Sequence, residues 1–238
     1  MPDKRFNILL AALLALTAPL GAQTDARGSA LAVAAEAAAR GDGIAAEAAL
    51  NKAQAAGASR TDLAARMGEA MLLQGDLDRA RQWLEPQQFS QADAALGWRM
   101  MGLLLRAERR LPDAGMAYDR ALSIAPNDPL LWVDIARLRY SGGQHVLAVE
   151  AAEHAFGLAP DNPRVIELRA QLLIDQAGPV AAIPLFERGL KIAPNDQQLL
   201  FGYAGALGQA SRAVDMLKVA RRFNSLNPRS PVPYYMQA

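Results

Sequence analysis

The chain has 238 residues, 52% of them apolar, which excludes disorder by composition and allows one or two domains by length. Much of the apolar share is alanine, the strongest intrinsic helix former. Aromatics are only 6% and strand-length β-branched runs are scarce, so the sequence reads as all-α. A formal charge of +1 with acids and bases interspersed offers no basic block for a polyanion, and the absence of cysteine excludes disulfides, thiolate metal sites, cysteine nucleophiles and a lipidated cysteine anchor.

The N-terminus carries Lys4 and Arg5, then the apolar run Ile8 to Leu16, then Pro19 and Gly21 ahead of Ala22. A charged start, an apolar middle and a small-residue end make a secretory signal over residues 1–22, with Ala22 its last residue, although Leu20 is large for its place. The alternative is an uncleaved anchor, but the apolar run stops at Pro19, short of the ~20 residues a spanning helix needs. Cleavage would remove Asp3, Lys4 and Arg5 and leave a mature chain of near-zero formal charge with no membrane span. The expected location is periplasmic or secreted.

From residue 23 to 228 the chain repeats. Units starting near Arg27, Thr61, Ala95, Pro129, Pro163 and Gln197 align without a gap at a step of 34 residues. One column reads Ala34, Gly68, Gly102, Ala136, Ala170, Ala204; a second reads Ala46, Ala80, Ala114, Ala148, Ala182, Met216. A third reads Ala58, Ala92, Pro126, Pro160, Pro194, Pro228, and four prolines in one register are hard to obtain by chance. Within each unit, apolar residues recur at helical spacing in two stretches, as in Trp98, Met101, Leu105 and then Ala114, Tyr118, Ala121. Glycine-bearing turns separate the two helices, and Asp42 and Asp76 suit N-caps there.

Between units the chain writes "APNDP", "APDNP" and "APNDQ". Pro126 and Pro160 stop the preceding helix, Asp128 and Asn162 cap the next, and Pro129 and Pro163 occupy its first position, where a missing N–H costs nothing. Pro184 falls inside a second helix and would be tolerated if that helix began near Ala181. At the C-terminus, Ser230 and Pro231 start a further, incomplete helix over 229–238, which suits a fragment of a longer array or an end covered by a partner or a second copy.

Paired helices carrying Trp98, Met101, Gly102, Leu105, Ala114, Tyr118, Ala121 and Pro126 in one unit resemble the tetratricopeptide repeat family. The unit from Thr61 has alanine where that family favours proline, and Arg139 and Arg169 stand at expected apolar places. The resemblance implies a right-handed α-solenoid of about six helix-turn-helix units. It also implies a concave groove, lined by the first helices, that binds a peptide or protein segment.

No catalytic set stands out. GxSxG, HExxH and phosphate-cradling glycine loops are missing, and His145 and His154 read as exposed polar residues. The chain is expected to be a non-enzyme with no cofactor. By the resemblance, the inward-facing positions are Glu69, Arg99, Arg106, Val133, Arg137, Tyr140, Glu167, Gln171 and Phe201. Arg99, Arg106, Arg137 and Tyr140 combine forked carboxylate recognition with aromatic area, as binding anchors do. The expected function is a protein-interaction scaffold with a protein or peptide partner and no nucleic acid. The alternative is an accessory subunit of an envelope assembly, secretion or biogenesis complex, docking through the convex face or the C-terminal end.

Overall fold

The computed structural model describes residues 20–226. The expected signal segment, apart from its last three residues, and the expected incomplete helix at 229–238 lie outside the described residues. Every regular element among the described residues is helical.

The chain divides into two compact units, Met1–Arg110 and Leu111–Ala238. The first holds α1 (Leu20–Ala39), α2 (Gly43–Ala55), α3 (Arg60–Leu73), α4 (Leu77–Leu84) and α5 (Ala94–Ala107). The second holds α6 (Leu111–Ile124), α7 (Pro129–Ser141), α8 (His145–Leu158), α9 (Pro163–Ala177), α10 (Pro179–Ile192), α11 (Gln197–Gln209) and α12 (Ala213–Leu226). First helices therefore begin at Arg60, Ala94, Pro129, Pro163 and Gln197, within a residue of the predicted unit starts. Only α1 departs: the chain is already helical at Leu20, the first described residue, ahead of Arg27, and no proline lies between the two.

The inter-helix chemistry is local. Asp42 accepts from the Ala45 N–H (2.9 Å) and Asp76 from the Arg79 N–H (3.0 Å). Asp128 accepts from the Leu130 N–H (2.8 Å) and Asn162 from the Arg164 N–H (3.0 Å), with Pro129 and Pro163 opening their helices. Asp196 does the same for α11 through the Leu199 N–H (2.9 Å). Each such cap stabilises its helix by about 1 kcal/mol. The Trp132 indole donates to the Pro126 carbonyl (2.7 Å), tying α7 to the loop before it.

The small-residue columns are buried, and they admit close approach. Leu84 of α4 lies against Gly68 of α3 so tightly that a Cβ on Gly68 would collide with it. Gly43 lies against backbone: a Cβ there would sit 2.6 Å from the Ala70 carbonyl oxygen and 2.9 Å from the Leu73 Cβ. Gly43→Ala is thus expected to destabilise the protein by about 1–3 kcal/mol, although alanine is the better helix residue by about 1 kcal/mol. Urea denaturation checks this; a stabilised variant would show that α2 and α3 separate at no cost.

The unit from Thr61 departs from pattern for a visible reason. Its second helix is eight residues long and ends before Pro86; Ala92 then lies in a 3-10 turn, Gln91–Asp93, instead of a proline loop. Phe89 fills the gap, edge-on to Trp98 with ring centroids 5.7 Å apart and closely covering Gly97. Arg66 forks onto Asp93 with two bonds of 2.8 Å. The off-pattern arginines also find partners. Arg139 donates to the Leu147 carbonyl (3.1 Å), and Arg169 donates to Glu153 (2.8 Å) while lying 4.1 Å over the Phe156 ring.

One expectation is corrected. The helix holding Pro184 starts at Pro179, not near Ala181, so Pro184 lies inside it. Gly178 at φ 84° turns the chain directly into α10, leaving no residues for a later start. Pro184 offers no N–H to the Val180 carbonyl, and Val180 lies on an exposed stretch where water can take that bond.

Candidate interaction surface

In the second unit the first helices α7, α9 and α11 pack on one another in series, and each also pairs with its own second helix. The second helices make no comparable contact with each other, so α7, α9 and α11 share one face. Tyr140, Gln171 and Phe201 are exposed on these helices. Val133 is buried.

Arg137 and Glu167 pair with each other. The Arg137 guanidinium donates to Glu167 at 2.6 Å, with Glu167 only 3% exposed, which takes Glu167 off the open surface and commits Arg137 as its counter-ion. Burial pushes the Glu167 carboxyl above its ordinary value, and Arg137 opposes the shift. The Tyr140 hydroxyl donates to Asp175 (2.6 Å), a bond that raises the phenol, and the His145 ring meets Tyr140 edge-on at 4.9 Å. Tyr203, two residues beyond Phe201, donates to Glu187 (2.9 Å), and burial above all pushes its phenol to about 12.

Glu69, Arg99 and Arg106 belong to the first unit, on α3 and α5, which touch. All three are half-buried; Glu69 and Arg99 are already engaged by neighbours, and the Arg106 Nε is buried without a hydrogen bond. His145 and His154 are exposed, as predicted, with the His154 ring tilted against Trp132 at a centroid distance of 4.3 Å. Among the described residues no three His, Asp or Glu side chains converge as metal ligands, and no helix is long and apolar enough to cross a membrane.

Two features escaped the sequence reading. Val146, Val180 and Val214, spaced 34 residues apart, stand at the starts of α8, α10 and α12 and are 73%, 68% and 70% exposed. The 34-residue register contains this column, and the sequence reading did not single it out. The second is a depression of about 550 Å³ between α8 and α9, its apolar lining supplied by Val146, Val149, Leu172 and Tyr140. It depends on packing between units, which sequence spacing does not display.

Several solved structures are similar. One is pilF of Pseudomonas aeruginosa, with a TM-score of 0.60 at 16% identity over 91% of this chain and 98% of that one. A thermophilic tetratricopeptide repeat protein of Thermus thermophilus, TTC0263, matches with a TM-score of 0.65 at 18% identity over 76% of this chain and 99% of its own. A tetratricopeptide repeat protein of Parabacteroides merdae matches with a TM-score of 0.54 at 16% identity, over 75% and 71%. No protein-family model matches the sequence, and no curated protein does. The 34-residue step, the paired capped helices and these likenesses agree, and the fold is that of the tetratricopeptide repeat proteins.

Proposed function

We propose that the chain is a non-catalytic scaffold that binds a peptide or protein segment along the face shared by its first helices. The observation that carries this reading is Phe201, a large aromatic half-exposed on α11, together with exposed Gln171 on α9 and Tyr140 on α7. Exposed aromatic area beside polar groups is the composition of a binding hot spot. A second reading, docking as an accessory subunit of an envelope complex through the second helices, is favoured by the exposed valine column. Both readings take the protein to be periplasmic or secreted, on the strength of the signal-like residues 1–22.

A photoreactive phenylalanine analogue at Phe201 is expected to cross-link one discrete protein of the source envelope fraction, and the same group at Val180 none. The reverse pattern would favour docking through the second helices. Equal labelling at both positions would remove the first reading. Mass measurement of the exported protein is expected to give a chain starting at Gln23; an intact N-terminus would end the cleaved-signal reading in favour of the uncleaved anchor.

A further inference from the structure

We infer that the α8–α9 depression is a docking trough for a basic amphipathic helix of a partner protein. The inference builds on the scaffold reading and adds the chemistry of the partner. Three observations support it. Much of the trough's lining is apolar, and Val146 within it has most of its surface in water, so the trough gains by being covered.

The carboxylates on its walls outnumber the cations: His145 lines the main depression with two acids, and Arg169 its continuation with one. Glu150 and Asp175 line the main depression, both exposed, and no lysine or arginine does. The nearby arginines have partners: Arg137 on Glu167, Arg139 on the Leu147 carbonyl, and Arg169, at the far end of the trough's continuation, on Glu153. Asp175 accepts from the Tyr140 hydroxyl, which leaves its charge in place. A trough of this kind attracts a cationic segment and repels an anionic one.

The length fits two helical turns. A smaller depression of about 200 Å³ continues the first along the same helices, sharing Val149, Leu172 and Gln176 and closing at the Arg169–Glu153 pair. From His145 to Glu153 is about 12 Å along α8, at about 1.5 Å per residue. That span takes apolar side chains three or four residues apart on a docked helix, the usual anchors of a helix laid in a groove.

The test uses the full purified chain and two capped 14-residue peptides with leucine at helical spacing. One carries lysine at every other position and the other glutamate. Titration calorimetry in 150 mM NaCl is expected to show binding of the lysine peptide only. Val146→Asp and Glu150→Lys, both at exposed positions, are each expected to weaken it at least tenfold with unchanged helicity. Glu36→Lys, an equal charge change on exposed α1, and Phe201→Ala are expected to leave it within twofold. Insensitivity to Phe201 separates this site from the first-helix face, so a failure of one is not a failure of the other. Equal binding of the glutamate peptide, or equal weakening by Glu36→Lys, would overturn the inference. So would self-association of the wild-type chain that Val146→Asp abolishes, since the occupant would then be a second copy.

Discussion

Replacing Arg137 by alanine is expected to destabilise the protein by about 3–5 kcal/mol at pH 7, because it leaves a buried carboxylate without its counter-ion. Glu167 is 3% exposed and accepts a charge-assisted hydrogen bond from Arg137 at 2.6 Å. The cost is expected to depend on pH with a definite sign. Burial, the largest influence, already holds the Glu167 carboxyl above its ordinary value of 4.5, and repulsion from Asp196 adds to it. Removing Arg137 takes away the main opposing influence, so the folded-state value rises further.

A raised folded value means that the folded chain holds the proton more tightly than the unfolded one. The associated stability is complete below the ordinary carboxylate value and is lost as pH climbs through the folded value. The deficit of Arg137→Ala should therefore grow from pH 5 to pH 7.5 in urea denaturation. Replacing both residues by methionine is expected to recover most of the loss, since an apolar pair of similar volume needs no counter-ion. A deficit below about 1 kcal/mol, or one flat with pH, would show that Glu167 finds another partner or reaches water.

Phe186→Ala is expected to cost about 3–5 kcal/mol, the range for deleting a fully buried phenylalanine. Its ring is 0% exposed at the centre of the cluster formed with Ile166, Ala170, Ala182, Leu199 and Leu207. The ring also rests on α11, where a Cβ on Gly202 would stand 2.6 Å from Cε1 and 2.9 Å from Cζ. Gly202→Ala alone should be destabilising, because a packed ring has nowhere to move. In the Phe186→Ala background the same methyl enters the vacated space, so its cost should vanish or reverse. A double-mutant cycle is expected to give a coupling of about 1–2 kcal/mol. Strict additivity would mean that the ring swings clear of Gly202.

The helical pairs were legible because their punctuation is local. Asp128, Asn162, Pro129 and Pro163 act within a few residues of where they stand, so a reading by spacing finds them. What spacing could not show was partnership between repeats. Arg137 and Glu167 both fall at inward positions, and sequence alone leaves each as an open anchor; the structure closes them on one another. Glycines between paired helices read as turn punctuation in general, whereas Gly43 in particular lets α2 lie against the α3 backbone. Pro184 was misplaced because the preceding turn is a single glycine at positive φ, which needs no spare residue. The trough beside Tyr140 depends on which way several side chains lean, and no column of the alignment encodes that.

The compressed loops have a consequence for how such a chain can change over generations. Each "APNDP"-type junction holds its own terminator and cap, two of the three an initiating proline as well, and the helices that it joins find their neighbours nearby in the chain. Copying one segment of that length in frame adds a module whose instructions travel with it, and excising one leaves two compatible ends. Growth and loss by whole modules should therefore be tolerated far more readily than insertion of a few residues within a helix.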